Sequence, residues 1–315
     1  MHPHMTYGIY TAGDHNFFAG IVASVNSLRF HGYCGPVAVI DTGLEPWMVS
    51  YLEGFEQVEV LSLEPLRRAI RFTDVRSDES PVDKDWAYKA FAIVHYERFA
   101  RFTFIDGDFL PLCNLQQIID PILSTGAVVC TEDGTNCWTA EHEAATGVVP
   151  GSYVNVNAGF LSFTLADHQY LLWEWRNLMT RRKPFDLWYG DQGAINVVLD
   201  KHAARKHMLD KVLWNQTHLN SRMAEEDAVE ASGDVLRIRK TGQRVYAWHG
   251  TGWHKLWHCI GIDHYRADAA ERERFHQECR GKVPVPVLRH FERFLFCPDY
   301  NRPLTRDAHR ITCPV

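Results

Sequence analysis

Cysteine spacing of the metal-finger kind is missing from this chain. Its eight cysteines (Cys34, Cys113, Cys130, Cys137, Cys259, Cys279, Cys297 and Cys313) include no C-x-x-C pair, which argues against a structural zinc site. No uninterrupted apolar stretch approaches the roughly 20 residues that cross a bilayer, so no membrane span is expected. Basic runs are absent as well. Lys and Arg number 33 against 39 Asp and Glu, a net charge of −6, and binding to nucleic acid, which needs clustered cations, is not expected. The opening Met1-His-Pro-His-Met5 lacks the pattern of a signal peptide and runs straight into a strand-like segment. No internal repeat is visible. These absences together lead to the expectation of a reduced, soluble, cytoplasmic protein; nothing in the sequence assigns an oligomeric state.

What is present is an ordinary globular composition, 46% hydrophobic and 23% charged, arranged as alternating strands and helices. Tyr7 to Ala12 is an apolar strand ending at Gly13-Asp14-His15-Asn16. Phe17, Phe18, Ile21, Val22, Val25 and Leu28 then recur at helical spacing up to Gly32. Further strands are expected at Val37 to Asp41, Val58 to Leu63, Arg101 to Ile105, Gly126 to Thr131 and Val154 to Phe163. Helices are expected at Pro46 to Glu53, Trp86 to Phe99, Ala166 to Thr180 and Asp191 to Leu199. Thr73 to Asp85 reads as a loop, and Glu132 to Gly151 as a long functional connection. This order predicts an α/β fold, a mixed but mostly parallel Rossmann-like sheet with helices on both faces, and ligands at the carboxyl ends of its strands.

One such end carries two carboxylates. Phe102-Thr-Phe-Ile-Asp106-Gly107-Asp108 is an apolar strand running into D-x-D. Carboxylates about 5 Å apart repel by roughly 3 kcal/mol at an effective dielectric near 20. A hard divalent cation, Mn2+ or Mg2+, relieves that repulsion and brings substrate phosphates with it. A plain acidic turn is the unremarkable alternative, and an aspartyl phosphatase a second one. Phosphatases usually follow D-x-D with a small-residue turn, whereas Phe109-Leu110-Pro111 stands here.

Far downstream, His249-Gly-Thr-Gly252-Trp-His-Lys255-Leu-Trp257 has the spacing H-x-x-G-x-x-K-x-W. The segment resembles the H-x-x-G-x-x-K-P-W motif of the glycogenin-like retaining GT-A glycosyltransferases, with Leu256 in place of the usual Pro. The resemblance implies His249 as third metal ligand beside Asp106 and Asp108, and Lys255 as a contact to the donor phosphates, with Gly252 letting the backbone approach them. Thr11-Ala12-Gly-Asp14-His-Asn16-Phe17 looks like the family's uridine-binding segment: Asp14 on the base, Asn16 on the ribose, Phe17 stacking. The physical alternative is that Asp14 or Asn16 caps the following helix. Lys89, on the helix before the D-x-D strand, stands where the family commonly has an Arg that touches diphosphate and sugar; the alternative is an exposed helix lysine. Asn157-Ala158-Gly159 and Gly190-Asp191-Gln192 resemble motifs that line the sugar pocket, which puts Asp191 and Gln192 near the anomeric carbon.

The resemblance covers roughly residues 7 to 260. It implies a GT-A domain over 1–265; from about Ala267 the pattern changes to charged helical segments and prolines, which reads as a helical, Pro-rich appendage over 266–315 packed on that domain. The activity implied is metal-dependent transfer of a sugar from a UDP-sugar to an acceptor hydroxyl with retention of configuration, and Asp191 is the carboxylate nominated as nucleophile. Two rival classes share the architecture or the site. A nucleotidyltransferase would carry a glycine- and arginine-rich loop after the first strand, which Gly13-Asp14-His15-Asn16 is not; a non-catalytic nucleotide-sugar binder would release no UDP. The acceptor is unread, with Trp138, Trp173, Trp175, Trp188 and Trp253 as candidate stacking faces.

Overall fold

A computed structural model describes residues 5–69, 89–133, 147, 154–180, 191–215, 229–250, 255–260, 283–296, 305–307 and 310–312. The first strand, β1 (Met5–Asp14), leads into helix α1 (Phe18–Phe30), which stops where Gly32 adopts φ +81° and Tyr33 N–H reaches back to the carbonyl of Leu28 at 2.9 Å. The chain continues through β2 (Val37–Gly43), α2 (Pro46–Glu53), β3 (Val58–Ser62), α3 (Glu64–Ala69), α4 (Lys89–Tyr96) and β4 (Phe99–Asp106). Then come β5 (Phe109–Pro111), α5 (Leu115–Leu123), β6 (Val128–Glu132), β7 (Val156–Thr164) and β8 (Lys206–Leu209), followed by the separate pair β9 (Val229–Ser232) and β10 (Val235–Ile238).

Seven strands form one sheet in the order β3-β2-β1-β4-β7-β6-β8, and β7 alone runs against the rest. From β1 the chain builds outward through β2 and β3, then returns to the other side of β1 as β4. The carboxyl ends of β1 and β4, where this direction switches, lie side by side, with Ala12 paired to Asp106. Such a switch point is where α/β sheets bind ligands. Because β7 is reversed, it brings its beginning to this edge, and Ile105 pairs with Phe160.

Alternation along the strands divides the core between the two faces. Tyr7, Ile9, Val37, Val39 and Ile105 pack with α1 and α2 on one side, while Tyr10, Ala38, Ile40, Phe102 and Phe104 pack with α4 and the helices Leu165–Thr180 and Asp191–Lys201 on the other. The helix Val285–Phe296 buries Val287, Phe291, Phe294 and Leu295 in the first cluster. Asn26 Nδ2 on α1 donates to the carbonyl of Phe294 at 2.8 Å. Among the described residues no helix is long and apolar enough to cross a membrane.

The strands and helices that the pattern led us to expect lie in place to within two residues at most ends, apart from the helix expected at Trp86 to Phe99, whose first three residues lie outside the described ones. It ends at Tyr96, and Phe99 already belongs to β4. Glu97 turns the chain at φ +41°, with its N–H on the carbonyl of Ile93 at 3.1 Å, a left-handed stop without the glycine that would have announced it. The long connection expected at Glu132 to Gly151 and the loop at Thr73 to Asp85 lie almost wholly outside the described residues.

The helix ending at Lys201 stops in the same way. Ala203 sits at φ +45°, and Ala204 N–H bonds the carbonyl of Leu199 at 2.8 Å. Ala203 is exposed, so the substitution Ala203→Gly removes a strained Cβ and no packing. It is expected to stabilise the protein by up to about 1 kcal/mol, the reverse of the usual Ala→Gly loss in a helix, read as a higher urea midpoint at unchanged slope.

Candidate functional site

The D-x-D turn is threaded between β1 and α1. A Cβ on Gly107 would stand 2.7 Å from the carbonyl oxygen of Ala12, so only glycine lets the turn pass this close. The chain then enters β5, which pairs antiparallel with β11 (Ala247–His249), and Phe109 lies opposite His249. Gly250 N–H closes the pair on the carbonyl of Asp108 at 2.8 Å. This ladder carries a residue from the far end of the sequence to the end of β4.

His249 is buried, with Nε2 at 3.3 Å from Asp108 Oδ1 and 3.9 Å from Asp106 Oδ2. One ligand atom from each of Asp106, Asp108 and His249 lies within 4.8 Å of the others. Among the described residues, Asp108 Oδ1 is buried without a hydrogen-bonding partner. Two oxygens and one imidazole nitrogen around an unsatisfied carboxylate oxygen are a donor set that fits a hard or borderline divalent cation. The ring fits because residue 159 is glycine: a Cβ there would meet His249 Cε1 at 2.6 Å and Asp106 Oδ2 at 2.8 Å.

Two lysines balance these carboxylates. Lys255 Nζ binds Asp108 Oδ2 and stands 4.8 Å over the ring of Phe17. Lys89, at the start of α4, is 4% exposed rather than a surface lysine. Its Nζ lies 3.2 Å from Asp106 Oδ1, bonds Asp191 Oδ2, and sits over the ring of Phe104. Burial works against the charge of Lys89, but Asp106 and Asp191 outweigh it and raise its pKa above the ordinary lysine value. Burial also opposes ionisation of Asp108, and Lys255 with the His249 ring overcomes it, holding that carboxyl below the usual range. For Asp191, burial prevails over Lys89, and its pKa is raised.

The remaining expected residues line the same edge. Asp14 Oδ1 accepts from Asn16 N–H at 2.8 Å, and the amide of Asn16 donates to Asp14 Oδ2 at 3.3 Å. Neither caps α1, whose N-cap position is Phe17 without a side-chain bond. Thr11 is buried at the end of β1, next to Ala12, and Phe17 meets Trp257 edge-on at 5.7 Å between ring centres. Asn157 Oδ1 accepts from Gly159 N–H at 2.7 Å, and Gln192 Oε1 accepts from Ala158 N–H at 3.2 Å. Asp191 opens its helix with its carbonyl bonded by Trp175 Nε1 at 3.0 Å. Trp175 is therefore fully buried and offers no stacking face, whereas Trp173 is 42% exposed. Gly252, Trp138, Trp188 and Trp253 lie outside the described residues.

Two site residues escaped the sequence reading. Asp133 Oδ2, just past β6, accepts from Gln192 Nε2 at 2.7 Å and Asn157 Nδ2 at 3.2 Å, tying both candidate sugar-pocket segments together. Asn215 bonds His249 Nδ1 at 2.9 Å. Asp133 follows an apolar strand, a position that signals a site once the sheet order is known; Asn215 carries no local signal.

With this geometry, the comparisons with known proteins are informative at the level of fold. No protein-family model matches the sequence, and neither does any curated protein. Solved structures do match. The galactosyltransferase LgtC, in complex with donor and acceptor sugar analogs, is similar at TM-score 0.54 and 18% identity, over 90% of this chain and 99% of that one. Mouse xyloside xylosyltransferase 1 in its apo form gives 0.50 at 13% identity, over 79% and 98%. The glycosyltransferase GlyE of Streptococcus pneumoniae gives 0.52 at 14% identity, over 92% and 63%. The chain thus has the GT-A fold, as the motifs led us to expect.

Lys89 provides a test of the charge balance in the metal-free protein. Lys89→Met leaves the largely buried carboxylate of Asp191 without its cation, and stability near neutral pH is expected to fall by about 3–5 kcal/mol. The loss should shrink toward acid, because Asp191, whose folded pKa is raised, then takes up a proton. In the unsubstituted protein the folded pKa of Lys89 is raised, so its contribution is present below the ordinary lysine pKa and fades only as pH climbs through the raised value. Urea unfolding of both proteins across pH measures this; an equal loss at every pH would contradict the assignment.

Proposed function

We propose that this protein is a metal-dependent glycosyltransferase that moves a sugar from a UDP-sugar to an acceptor hydroxyl with retention of anomeric configuration. The observation that carries the reading is the convergence of Asp106, Asp108 and His249, with Lys255 alongside, at the switch point of a GT-A sheet. Asp106, Asp108 and His249 would hold Mn2+ or Mg2+, which when bound supplies positive charge to the diphosphate leaving group. The two sugar analogs bound to the LgtC neighbour support separate donor and acceptor positions here.

In the transfer, the bond from the anomeric carbon to the phosphate oxygen breaks and one to the acceptor oxygen forms. The acceptor proton ends on the released diphosphate. Lys255 supplies a second cation where charge develops on that diphosphate, which is electrostatic stabilisation of the leaving group. Asp14 and Asn16 hold the nucleoside, with Phe17 at its base. Asn157, Gln192 and Asp133 form one hydrogen-bonded rim suited to sugar hydroxyls. Asp191 would face the reacting carbon, and its ion pair with Lys89 favours its negative form in a buried setting. Retention then follows from attack by Asp191 or from same-face attack by the acceptor.

Release of UDP from a panel of UDP-sugars with manganese tests the activity, and thermal stabilisation by UDP but not GDP or ADP tests the nucleotide. Binding of UDP without release from any donor would favour a non-catalytic binder. Lys255→Ala is expected to slow turnover roughly 10- to 150-fold, the equivalent of about 1.5–3 kcal/mol for a charge-assisted phosphate contact. Undiminished turnover would rule that contact out. Asp108→Ala should lose manganese-dependent UDP binding, and an unchanged UDP affinity would reject the metal assignment.

A further inference from the structure

His249 can offer Nε2 to a metal as a neutral ring only if its one proton sits on Nδ1. The partner of Nδ1 is Oδ1 of Asn215, at 2.9 Å. The other end of that amide is fixed, because Asn215 Nδ2 donates to the backbone carbonyl of Glu132 at 3.1 Å. A carbonyl only accepts, so the amide nitrogen must face Glu132 and the amide oxygen must face the ring. That oxygen also only accepts, so Nδ1 carries a hydrogen, and the neutral form of the ring is the one with its lone pair on Nε2. Nε2 is the atom turned toward Asp108 and Asp106.

Both partners are held by the backbone around them. Asn215 follows the one-turn helix Lys211–Trp214, whose first turn is capped by Asp210 Oδ1 on Val212 N–H at 2.8 Å. Its own N–H bonds the carbonyl of Lys211 at 2.9 Å. Trp214 stacks on Tyr246 with ring centres 4.6 Å apart, and Tyr246 N–H bonds the carbonyl of Leu213 at 2.7 Å. Tyr246 immediately precedes β11, so the helix carrying Asn215 is strapped to the strand carrying His249. At 4% and 3% exposure, the two side chains meet away from water.

We infer that Asn215 is a positioning residue that selects the Nδ1–H tautomer of His249 and holds the ring so that Nε2 faces the two aspartates. The inference rests on the metal reading of the site and assigns no contact between Asn215 and substrate. Outer-shell partners of this kind are worth about 10- to 100-fold in metal affinity. Leu at this position has similar bulk but cannot accept the ring proton; Asp can.

The test combines manganese titration by electron paramagnetic resonance with long-range proton–nitrogen spectra of His249 in the metal-free protein. Asn215→Leu is expected to weaken manganese binding about 10- to 100-fold and to move the ring proton toward Nε2. Asn215→Asp should restore both the affinity and the Nδ1–H form. The wild-type spectrum tests the inference even if the leucine variant fails to fold, since a ring with no proton on Nδ1 there would overturn it. Loss of manganese in His249→Ala with full binding in Asn215→Leu would overturn the positioning role alone. Equal binding by wild type and His249→Ala would instead remove the metal reading, and this inference with it.

Discussion

Three carboxylates, those of Asp106, Asp108 and Asp191, are crowded around the end of one strand, and the two ammonium groups of Lys89 and Lys255 reach them from different parts of the chain. In a half-buried setting such crowding is tolerable only while the cations stay in place. Much of the surrounding architecture serves that balance. Lys89 stands at the start of α4, and Lys255 is the N-cap residue of the short helix Leu256–Cys259. Even so, among the described residues these three carboxylates face two lysines, and Asp108 Oδ1 is buried without a hydrogen-bonding partner. The described residues leave this edge short of positive charge, and that is the physical basis for expecting a cation there.

The same edge is assembled from segments far apart in sequence, and hydrogen bonds rather than apolar packing set its geometry. Asn196 shows how. Its side chain accepts from Val156 N–H and donates to the carbonyls of Val156 and Gln192, each at 2.8 Å, so the start of β7 and the helix bearing Asp191 and Gln192 move as one piece. A bond from Asp133 N–H to the carbonyl of Asn155, at 2.7 Å, ties the end of β6 to the same place. Buried polar networks of this kind fix positions that an apolar core, tolerant of repacking, would leave less certain.

What could be read beforehand was whatever a local pattern encodes. Asp106 and Asp108 stood out because an apolar strand ran straight into them, and the strands themselves followed from runs such as Tyr7 to Ala12. His249 and Lys255 became candidates through spacing matched to a known motif, since nothing in their own neighbourhood says which strand end they will meet. The register of β5 against β11 decides that, and a three-residue ladder leaves no periodicity to detect. Glu97 hid the end of a helix because a residue with a side chain took a conformation that glycine usually marks. Asn215 was illegible for a different reason: its role exists only through the fixed orientation of an amide between two distant groups.

The reversed direction of β7 has an effect on what this scaffold can become. The chain leaves β6 at the site and re-enters β7 at the site, with the Asp133–Asn155 bond clasping the two ends. A segment inserted between those ends is anchored at its base however long it is, and closing a longer loop adds only about 0.6 kcal/mol for each doubling of length. The sheet, the carboxylates and their lysines would not feel the change. The surface at this edge can therefore change by exchange of one stretch of chain while Asp106, Asp108 and His249 keep their places.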